Sequence, residues 1–211
     1  MPSTTPQTIQ SAIHDNRLRK AAGDFLKQHV RVDSKLSFVS AYFTVHAYAA
    51  LKIQLESAGE LRFLFGDPKS VSSLDKDDKQ ARRFTLGPDG QSLALGNQLS
   101  QKQIARECAA WIRRQVEIRS ITRSSFLHGK LYHILNGETS HALLGSSNFT
   151  VPGLGLKPSG SNVELNIAVD SRRDVDDLKA WFDELWNDVS VTTDVRDKIG
   201  RASCRERVSF T

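Results

Sequence analysis

The alternation of strand and helix patterns over residues 36–65 constrains the fold of this chain most. Residues 36–43 form a short apolar and aromatic run that predicts a buried strand. A helical pattern follows and is closed by Gly59, and residues 61–65 predict a second strand that stops at Gly66. A strand, a helix and a strand in succession indicate two parallel neighbours in one sheet. The segment therefore predicts an α/β fold.

The rest of the chain adds strands and helices of the same kind. Further strands are predicted at residues 116–122, 129–135, 141–145 and 163–169, with the hairpin dipeptide Asn136-Gly137 between the second and the third of them. Helices are predicted at residues 7–29 and 101–115, and after the N-cap residue Ser171. The last helix is expected to bury a stripe of Val175, Leu178, Phe182, Leu185 and Val189. We therefore expect a mixed sheet flanked by helices, with the functional site at the strand ends.

Two segments stand apart from this pattern. Residues 66–100 are polar and lack a strong period, which is compatible with a functional loop, a partly helical insertion or disorder. Residues 199–211 resemble the translated read-through of a widely used sequencing adapter, the alternative being a basic natural tail, and we set them aside from the fold. We therefore expect one domain over residues 1–198 and a natural polypeptide that continues beyond it.

The composition is that of a soluble protein, with 39% hydrophobic and 25% charged residues among 211. No segment approaches the roughly 18 consecutive apolar residues of a membrane span, so we expect a cytoplasmic protein with no membrane partner. Cys108 and Cys204 are too few for a disulfide framework and lack the spacing of a zinc site. The net charge of +5 falls to +3 without the three arginines and one glutamate of the tail, which permits a polyanionic partner.

Four polar side chains near the ends of two predicted strands suit phosphate chemistry. His128 and Lys130 lie two residues apart on one strand, so we expect them to face one pocket while Gly129 keeps the opposite side open. Ser146 and Asn148 follow the neighbouring strand at the same spacing. An imidazole, an ammonium, a hydroxyl and an amide can thus converge on a phosphate site.

Each group has a chemical role in the cleavage of a phosphodiester. Lys130, Ser146 and Asn148 can neutralise charge and donate hydrogen bonds to the oxygens of the five-coordinate state. A neutral imidazole nitrogen of His128 can attack phosphorus and form a phosphohistidine. A carboxylate on the other nitrogen would hold the required tautomer, and Glu164 is the candidate. The sequence has no carboxylate cluster and no His/Cys ligand spacing, so we expect neither a metal nor another cofactor.

This arrangement closely resembles the HKD motif of the phospholipase D superfamily. The matching elements are the His-x-Lys of residues 128–130, the Gly-Ser-x-Asn of residues 145–148 and the Asn-x-Glu of residues 162–164. The runs FLHGKLY, GSSNFT and NVELN, with SAYFTVHAYAAL near the start and WFDELW near the end, look most like the nuclease-type domain fused to the N-terminus of Swi/Snf-like helicases. The resemblance covers most of residues 10–190. It implies a metal-independent nuclease fold that acts as a dimer.

One departure from the family pattern bears on activity. Leu135 stands where the family has an aspartate, five residues after the lysine. In the family that aspartate is largely a supporting residue away from the phosphate, so the nucleophile is retained, although a degenerate domain that only binds becomes conceivable. His133 and His141 are interpreted as ordinary strand residues unless the structure brings them near His128.

Charge is unevenly distributed along the chain. Residues 170–188 hold seven acidic residues against three basic ones. Residues 101–123 hold two acidic residues against six basic ones, which are Lys102, Arg106, Arg113, Arg114, Arg119 and Arg123. Both segments can be solvated helix faces. If the basic side borders the His128 pocket, it would track a nucleic acid backbone. Trp181 and Trp186 are predicted to be core rather than a base-stacking platform.

The leading hypothesis is a DNA-directed phosphodiesterase that works as a homodimer, N-terminal to a helicase motor. Its catalytic residues would be His128, Lys130, Asn148 and Glu164, and its phosphate-binding residues Lys130, Ser146 and Asn148. The alternative is a catalytically weak DNA-binding module of a helicase or of a restriction or defence system. A lipid-directed hydrolase is a third hypothesis, and the absence of a membrane-binding stretch argues against it.

Overall fold

The structure, a computed structural model, describes residues 11–66, 91–122, 127–157 and 160–196, with residues 91–101 described by their backbone alone. The expectations for residues 67–90, Arg123, Cys204, the domain boundary at residue 198 and the tail lie outside this part of the chain. Residues 91–100, within the segment for which three possibilities were open, are helical.

Eight strands in the described part of the chain form one mixed sheet. They are β1 (Ile13–His14), β2 (Lys35–Ser40), β3 (Glu60–Phe65), β4 (Val116–Ile121), β5 (Lys130–Asn136), β6 (Thr139–Gly145), β7 (Asn166–Val169) and β8 (Thr192–Asp194). Their order across the sheet is β1-β7-β6-β5-β2-β3-β4-β8. β2, β3 and β4 are parallel to one another, and the other neighbours are antiparallel. The predicted parallel pair is confirmed.

Helices cover both faces of this sheet. They are α1 (Ala22–His29), α2 (Val45–Ala50), α3 (Lys52–Ser57), α4 (Gln91–Gln115) and α5 (Arg172–Asn187). Side chains alternate between the faces of a strand, so β5 directs Tyr132 toward the core shared with α1 to α4. It directs Leu131 toward the second core, where Phe182 and Trp186 of α5 pack. The predicted α/β architecture, a mixed sheet flanked by helices, is confirmed.

The N-terminal segment differs from the helix predicted over residues 7–29. Residues 13–14 form β1, which pairs with β7, and α1 begins only at Ala22. Between them, one carboxylate oxygen of Asp15 accepts hydrogen bonds from the main-chain N–H groups of residues 17, 18 and 19. Asn16 follows with a φ of 60°, outside the right-handed helical region. A turn closed by a carboxylate competes with helical hydrogen bonding, so this part of the helix prediction is wrong.

Three predicted boundaries also move for identifiable reasons. β2 ends at Ser40 rather than at residue 43 because the Ser40 hydroxyl donates to the carbonyl of Tyr42 and accepts from its N–H. The helix after β2 is divided at Leu51, whose φ of −118° and ψ of 14° are not helical. The last long strand begins at Asn166, because residues 162 and 164 donate their N–H groups to loop carbonyls instead of a strand ladder.

The hairpin and the last helix show smaller differences. The turn between β5 and β6 is formed by residues 137 and 138, with Gly137 at a φ of 58°, one residue later than Asn136-Gly137. Asn136 instead donates to the carbonyl of His29 at 2.9 Å. Val189 lies beyond α5 and is 80% exposed, whereas Trp186 is buried in its place and Trp181 is partly exposed. The tryptophans thus divide between core and surface.

Candidate active site

The polar residues predicted as a site lie at one end of the strands, here called one edge of the sheet. Lys130 is the first residue of β5, Gly145 the last of β6 and Asn166 the first of β7. The register places Lys130 opposite Gly145 and Gly145 opposite Asn166. The pairing of β2 with β5 brings Ser40, the last residue of β2, to the other side of Lys130. Residues from four segments that are distant in sequence therefore converge.

Lys130 is the buried cation of this edge. It is only 4% exposed, and its Nζ donates to the main-chain carbonyl of His128 at 2.7 Å. Burial lowers the pKa of the Lys130 ammonium, while the negative charge of Glu164 acts to raise that pKa. Within the described residues no salt bridge joins this ammonium to a carboxylate. A bound anion would add charge-assisted hydrogen bonds to the one that Lys130 donates to this carbonyl.

His128 lies immediately before β5 rather than on it. The strand begins at Lys130, so His128 and Gly129 lie in the segment that leads into it. Lys130 binds the main-chain carbonyl of His128. The side chain of His128 is exposed. Its segment is fixed to the end of β3, because the N–H of Leu127 donates to the carbonyl of Gly66 at 2.8 Å. A Cβ at Gly129 would meet no described atom within 4 Å, so that side is open as predicted.

Glu164 is anchored beside Ser146. One oxygen of its carboxylate accepts from the Ser146 hydroxyl, and the other accepts from Nδ2 of Asn162 at 3.1 Å. The Ser146 hydroxyl also accepts from the N–H of Leu165 at 3.0 Å. The structure therefore brings together the carboxylate that was expected to orient the histidine and the hydroxyl that was expected to bind phosphate.

Asn148 has one end of its amide committed to the scaffold. Its Oδ1 accepts from the main-chain N–H of Ala41 at 3.2 Å and lies 3.3 Å from the Ser40 hydroxyl, whose proton it shares with the carbonyl of Tyr42. These donors assign the oxygen to the side of β2. The Nδ2 group is then the end that can donate to a ligand oxygen.

Asn166 holds the site together, which sequence reasoning did not detect. It is 1% exposed; its Oδ1 accepts from the N–H of Ser147 at 3.1 Å, and its Nδ2 donates to the Ser147 hydroxyl and the His14 carbonyl, both at 2.9 Å. One side chain thus connects β1, β7 and the turn after β6. An amide at the start of an apolar strand was the available signal, because a buried amide needs partners.

Gly145 belongs to the same framework. A Cβ at this position would overlap the main-chain carbonyl of Leu165 and come within 2.6 Å of the Cα of Asn166. The backbone of β7 can approach the end of β6 only because residue 145 has no side chain. The glycine of the Gly-Ser-x-Asn pattern therefore has a packing reason.

Several other candidates lie away from this edge. His133 faces α5 on the opposite face of the sheet, and the ring of His141 contacts the ring of His29 with centroids 4.1 Å apart. Neither is brought to the site, in agreement with their interpretation as strand residues. Leu135 lies five residues along β5 from Lys130, about 17 Å at the usual rise of a strand. The departure from the family pattern is therefore remote from the buried lysine.

The described arginines at the C-terminal end of α4 and in β4, which belong to the basic segment over residues 101–123, do not border the site. Arg113 and Arg114 lie in the last turn of α4, just before β4. The register places the start of β4 at the opposite ends of the strands from Lys130. Arg119 lies 5.3 Å from the ring of Trp186 and donates to the carbonyl of that residue at 2.8 Å. Arg119 is a packing residue. The condition for a nucleic acid surface on this segment is not met by these arginines.

Two features of the described residues bear on the class of site. No group of three His, Cys, Asp or Glu side chains in these ranges could hold a metal ion. No described helix combines the length and the apolar character needed to cross a membrane. The thiol of Cys108 is buried in the core, and burial raises its pKa to about 12, which agrees with its predicted packing role.

Comparison with known protein families places the chain. Residues 28–186, three quarters of the sequence, match the family model described as "Cardiolipin synthase, PLD-like domain". No curated protein matches the sequence significantly. The matched span runs from α1 into α5 and contains the edge built around Lys130, and domains of this family generally catalyse hydrolysis or transfer at phosphodiesters. On the strength of this match, the chain belongs to the family of phospholipase D-like domains.

Proposed function

We propose that this domain is a metal-independent phosphodiesterase that cleaves DNA through a phosphohistidine on His128. The observation that carries the proposal is the buried Lys130 ammonium at the strand ends. Among the described residues it forms no salt bridge with a carboxylate, and it binds the main-chain carbonyl of His128, whose side chain is exposed. A buried cation that lacks a direct counter-ion favours an anionic ligand. The Nδ2 group of Asn148 would donate to one of the remaining phosphate oxygens. The Ser146 hydroxyl would donate to another by turning its proton from Glu164 to the phosphate.

The reaction proceeds in two displacements. A nitrogen of the neutral imidazole of His128 attacks phosphorus, the bond from phosphorus to the leaving oxygen breaks, and a general acid protonates that oxygen. Water then attacks the phosphohistidine and gives a proton to the group that acted as the general acid. The P–N bond breaks, and both the histidine and the acid are regenerated. Glu164 would hold His128 in the tautomer required for attack, and its own anchoring by Ser146 and Asn162 supports a fixed position for such a group.

A homodimer would supply the general acid. The chain contains a single His-x-Lys, so one protomer has one of the two histidines that the route uses. An exposed apolar stripe of Leu144, Val163, Leu165 and Ile167 adjoins Ser146 and Glu164, and Leu144 pairs with Ile167 in the sheet. A two-fold contact through this stripe would bury it and bring a second His128 toward the phosphate.

The enzymatic proposal is tested by His128→Ala and Lys130→Ala with two substrates, single-stranded DNA and bis(4-nitrophenyl) phosphate. We expect both variants to lose turnover, by roughly 10³-fold or more for the nucleophile. His141→Gln is the matched control, because His141 lies on the adjoining strand away from the edge. Unchanged turnover in His128→Ala would refute the enzymatic proposal and favour the alternative, a DNA-binding module. Cleavage of phosphatidylglycerol vesicles without cleavage of DNA would make a lipid the substrate.

The dimer is tested by Leu165→Glu, with Ile53→Glu on α3 as a control at another exposed apolar position. We expect Leu165→Glu to sediment as a monomer and to lose activity, and the control to do neither. A strictly monomeric wild-type protein that cleaves DNA at an undiminished rate on dilution would contradict the two-histidine mechanism.

A further inference from the structure

The turn over residues 15–20, here called the 15–20 loop, is a rigid projection of the N-terminal segment. One oxygen of the Asp15 carboxylate accepts from the N–H groups of Arg17, Leu18 and Arg19 at 2.9, 3.0 and 2.8 Å. Asn16 secures the loop at its base, because its Nδ2 donates to the carbonyl of Gly153 at 2.7 Å and its Oδ1 accepts from the N–H of residue 22 at 3.0 Å. The backbone that carries these side chains is therefore preorganised.

The 15–20 loop lies directly beside the candidate active site. The carbonyl of Asp15 accepts from the N–H of Glu164 at 3.2 Å, and Glu164 in turn binds the Ser146 hydroxyl. The carbonyl of His14, just before the loop, accepts from the buried Asn166. The first residue of the loop and the residue before it are thus both bonded to the framework that positions the site.

The loop carries a concentration of positive charge. Arg17, Arg19 and Lys20 are exposed, and the one carboxylate of the loop, Asp15, is 9% exposed and paired with Arg19 at 3.0 Å. The loop therefore has a net charge of two positive units from three cations and one anion. Arginine suits phosphate oxygens because its planar guanidinium presents five donors.

We infer that the 15–20 loop binds phosphates of a nucleic acid strand that lie next to the phosphate that is cleaved. The inference rests on the proposed function and specifies its substrate as a polymer rather than an isolated phosphodiester. Arg17 follows Asp15 by two residues, a separation of at most about 7 Å along the chain. Successive phosphates of a DNA strand are spaced by about 3.4 Å along the helix axis, so the arginines of the loop lie within a few phosphates of the site.

An anionic membrane is the competing partner for a basic loop. Leu18 is 81% exposed between Arg17 and Arg19, so the loop has one apolar side chain to insert. A single leucine contributes little membrane affinity compared with the apolar face of an interfacial helix. A net charge of two positive units on a hydrogen-bonded turn suits a regularly spaced polyanion better than a membrane, and this favours the nucleic acid.

The test compares Arg17→Gln/Lys20→Gln with Arg31→Gln, an exposed arginine ahead of β2 at the opposite edge of the sheet. Binding of a fluorescent single-stranded oligonucleotide is measured by anisotropy in the His128→Ala background, from 50 to 300 mM salt. Counterion release predicts a loss of affinity of roughly 20-fold at 0.1 M salt for two removed charges, and a log–log salt slope reduced by about 0.7 per charge. The Arg31→Gln protein should retain the parent affinity and a steeper slope than the double variant.

Activity separates this inference from the proposed function. With His128 restored, the double variant should hydrolyse bis(4-nitrophenyl) phosphate at the parent rate and cleave DNA with a raised KM. Loop-dependent DNA binding without any hydrolysis by the parent would support the inference and refute the enzyme. Equal DNA affinity in the parent and the double variant would overturn the inference. The inference would also be overturned if the double variant lost binding to phosphatidylglycerol vesicles while its DNA binding was unchanged. That result would assign the loop to a membrane.

Discussion

His133 should make the stability of this domain depend steeply on pH. Its imidazole is 1% exposed between β5 and α5, and neither ring nitrogen has a hydrogen-bond partner among the described residues. Burial, with a smaller contribution from the positive charge of Lys179, lowers the pKa of His133 to about 4, although Asp183 and Asp176 act in the opposite direction. Arg62 is the second cation that lowers it. The histidine is therefore neutral in the folded protein at neutral pH.

The sign of the effect follows from proton binding. Between pH 6.5, the ordinary histidine pKa, and pH 4 the unfolded chain binds a proton at His133 that the folded chain does not bind. The free energy of unfolding must then fall as the pH falls through this window. A difference of 2.5 pKa units between the ordinary value of 6.5 and about 4 corresponds to roughly 3 kcal/mol in total, of which about 2.5 kcal/mol is lost by pH 4.5.

The perturbation is His133→Leu, which replaces the imidazole with an apolar side chain of similar size and removes the titrating group. Urea denaturation at pH 7.5, 6, 5 and 4.5 gives the free energy of unfolding of the variant and of the parent. The difference between the two should grow in favour of the variant by about 2.5 kcal/mol from pH 7.5 to 4.5. The pKa of His29 is also lowered, to about 4. Because His29 is present in both proteins, its contribution to the pH dependence cancels in the difference. A difference that stays constant with pH would refute the reasoning, and His46→Leu, at an exposed position on α2, is the matched control.

Three further outcomes are expected. Asn166→Ala should lower the free energy of unfolding by about 2–4 kcal/mol in urea denaturation, because it leaves the buried N–H of Ser147 and the carbonyl of His14 without their partner; a loss below about 0.5 kcal/mol would contradict that role. Gly145→Ala should lower both the melting temperature and the turnover, because the new Cβ overlaps the carbonyl of Leu165; an unchanged melting temperature would show that the strands can separate without cost. Hydrolysis of bis(4-nitrophenyl) phosphate should persist in excess EDTA, and complete loss restored by magnesium would refute the metal-independent mechanism.

Local patterns in the sequence identified most of the sheet. The strands predicted at residues 61–65 and 129–135 lie within one residue of their observed bounds. Parallel pairing followed from the helix between two strands, since such a connection returns the chain in the same direction. The polar residues near the ends of β5 and β6 also identified the segment that forms the candidate site, because side-chain spacing along a strand is a local property.

The same local reasoning was wrong over residues 13–20. Apolar residues recur there at helical spacing, yet Ile13 and His14 pair with Ile167 and Asn166 about 150 residues away, and the Asp15 carboxylate closes a turn. A pairing partner at that separation leaves no periodic trace in the segment itself. The helix prediction therefore failed where a long-range strand pair competes with a local pattern.

The sequence by itself determined the fold class, the parallel pair and the residue types of the candidate site. Only the tertiary structure decided which charges lie beside that site. Arg113 and Arg114, in the segment with the most basic residues, lie at the opposite ends of the strands from the site. Arg17 and Arg19 lie in the loop that is bonded to the site. The reason is the strand order, in which β1 joins the sheet next to β7. Proximity across a sheet is set by hydrogen bonds between distant segments, and composition along one segment carries no information about it.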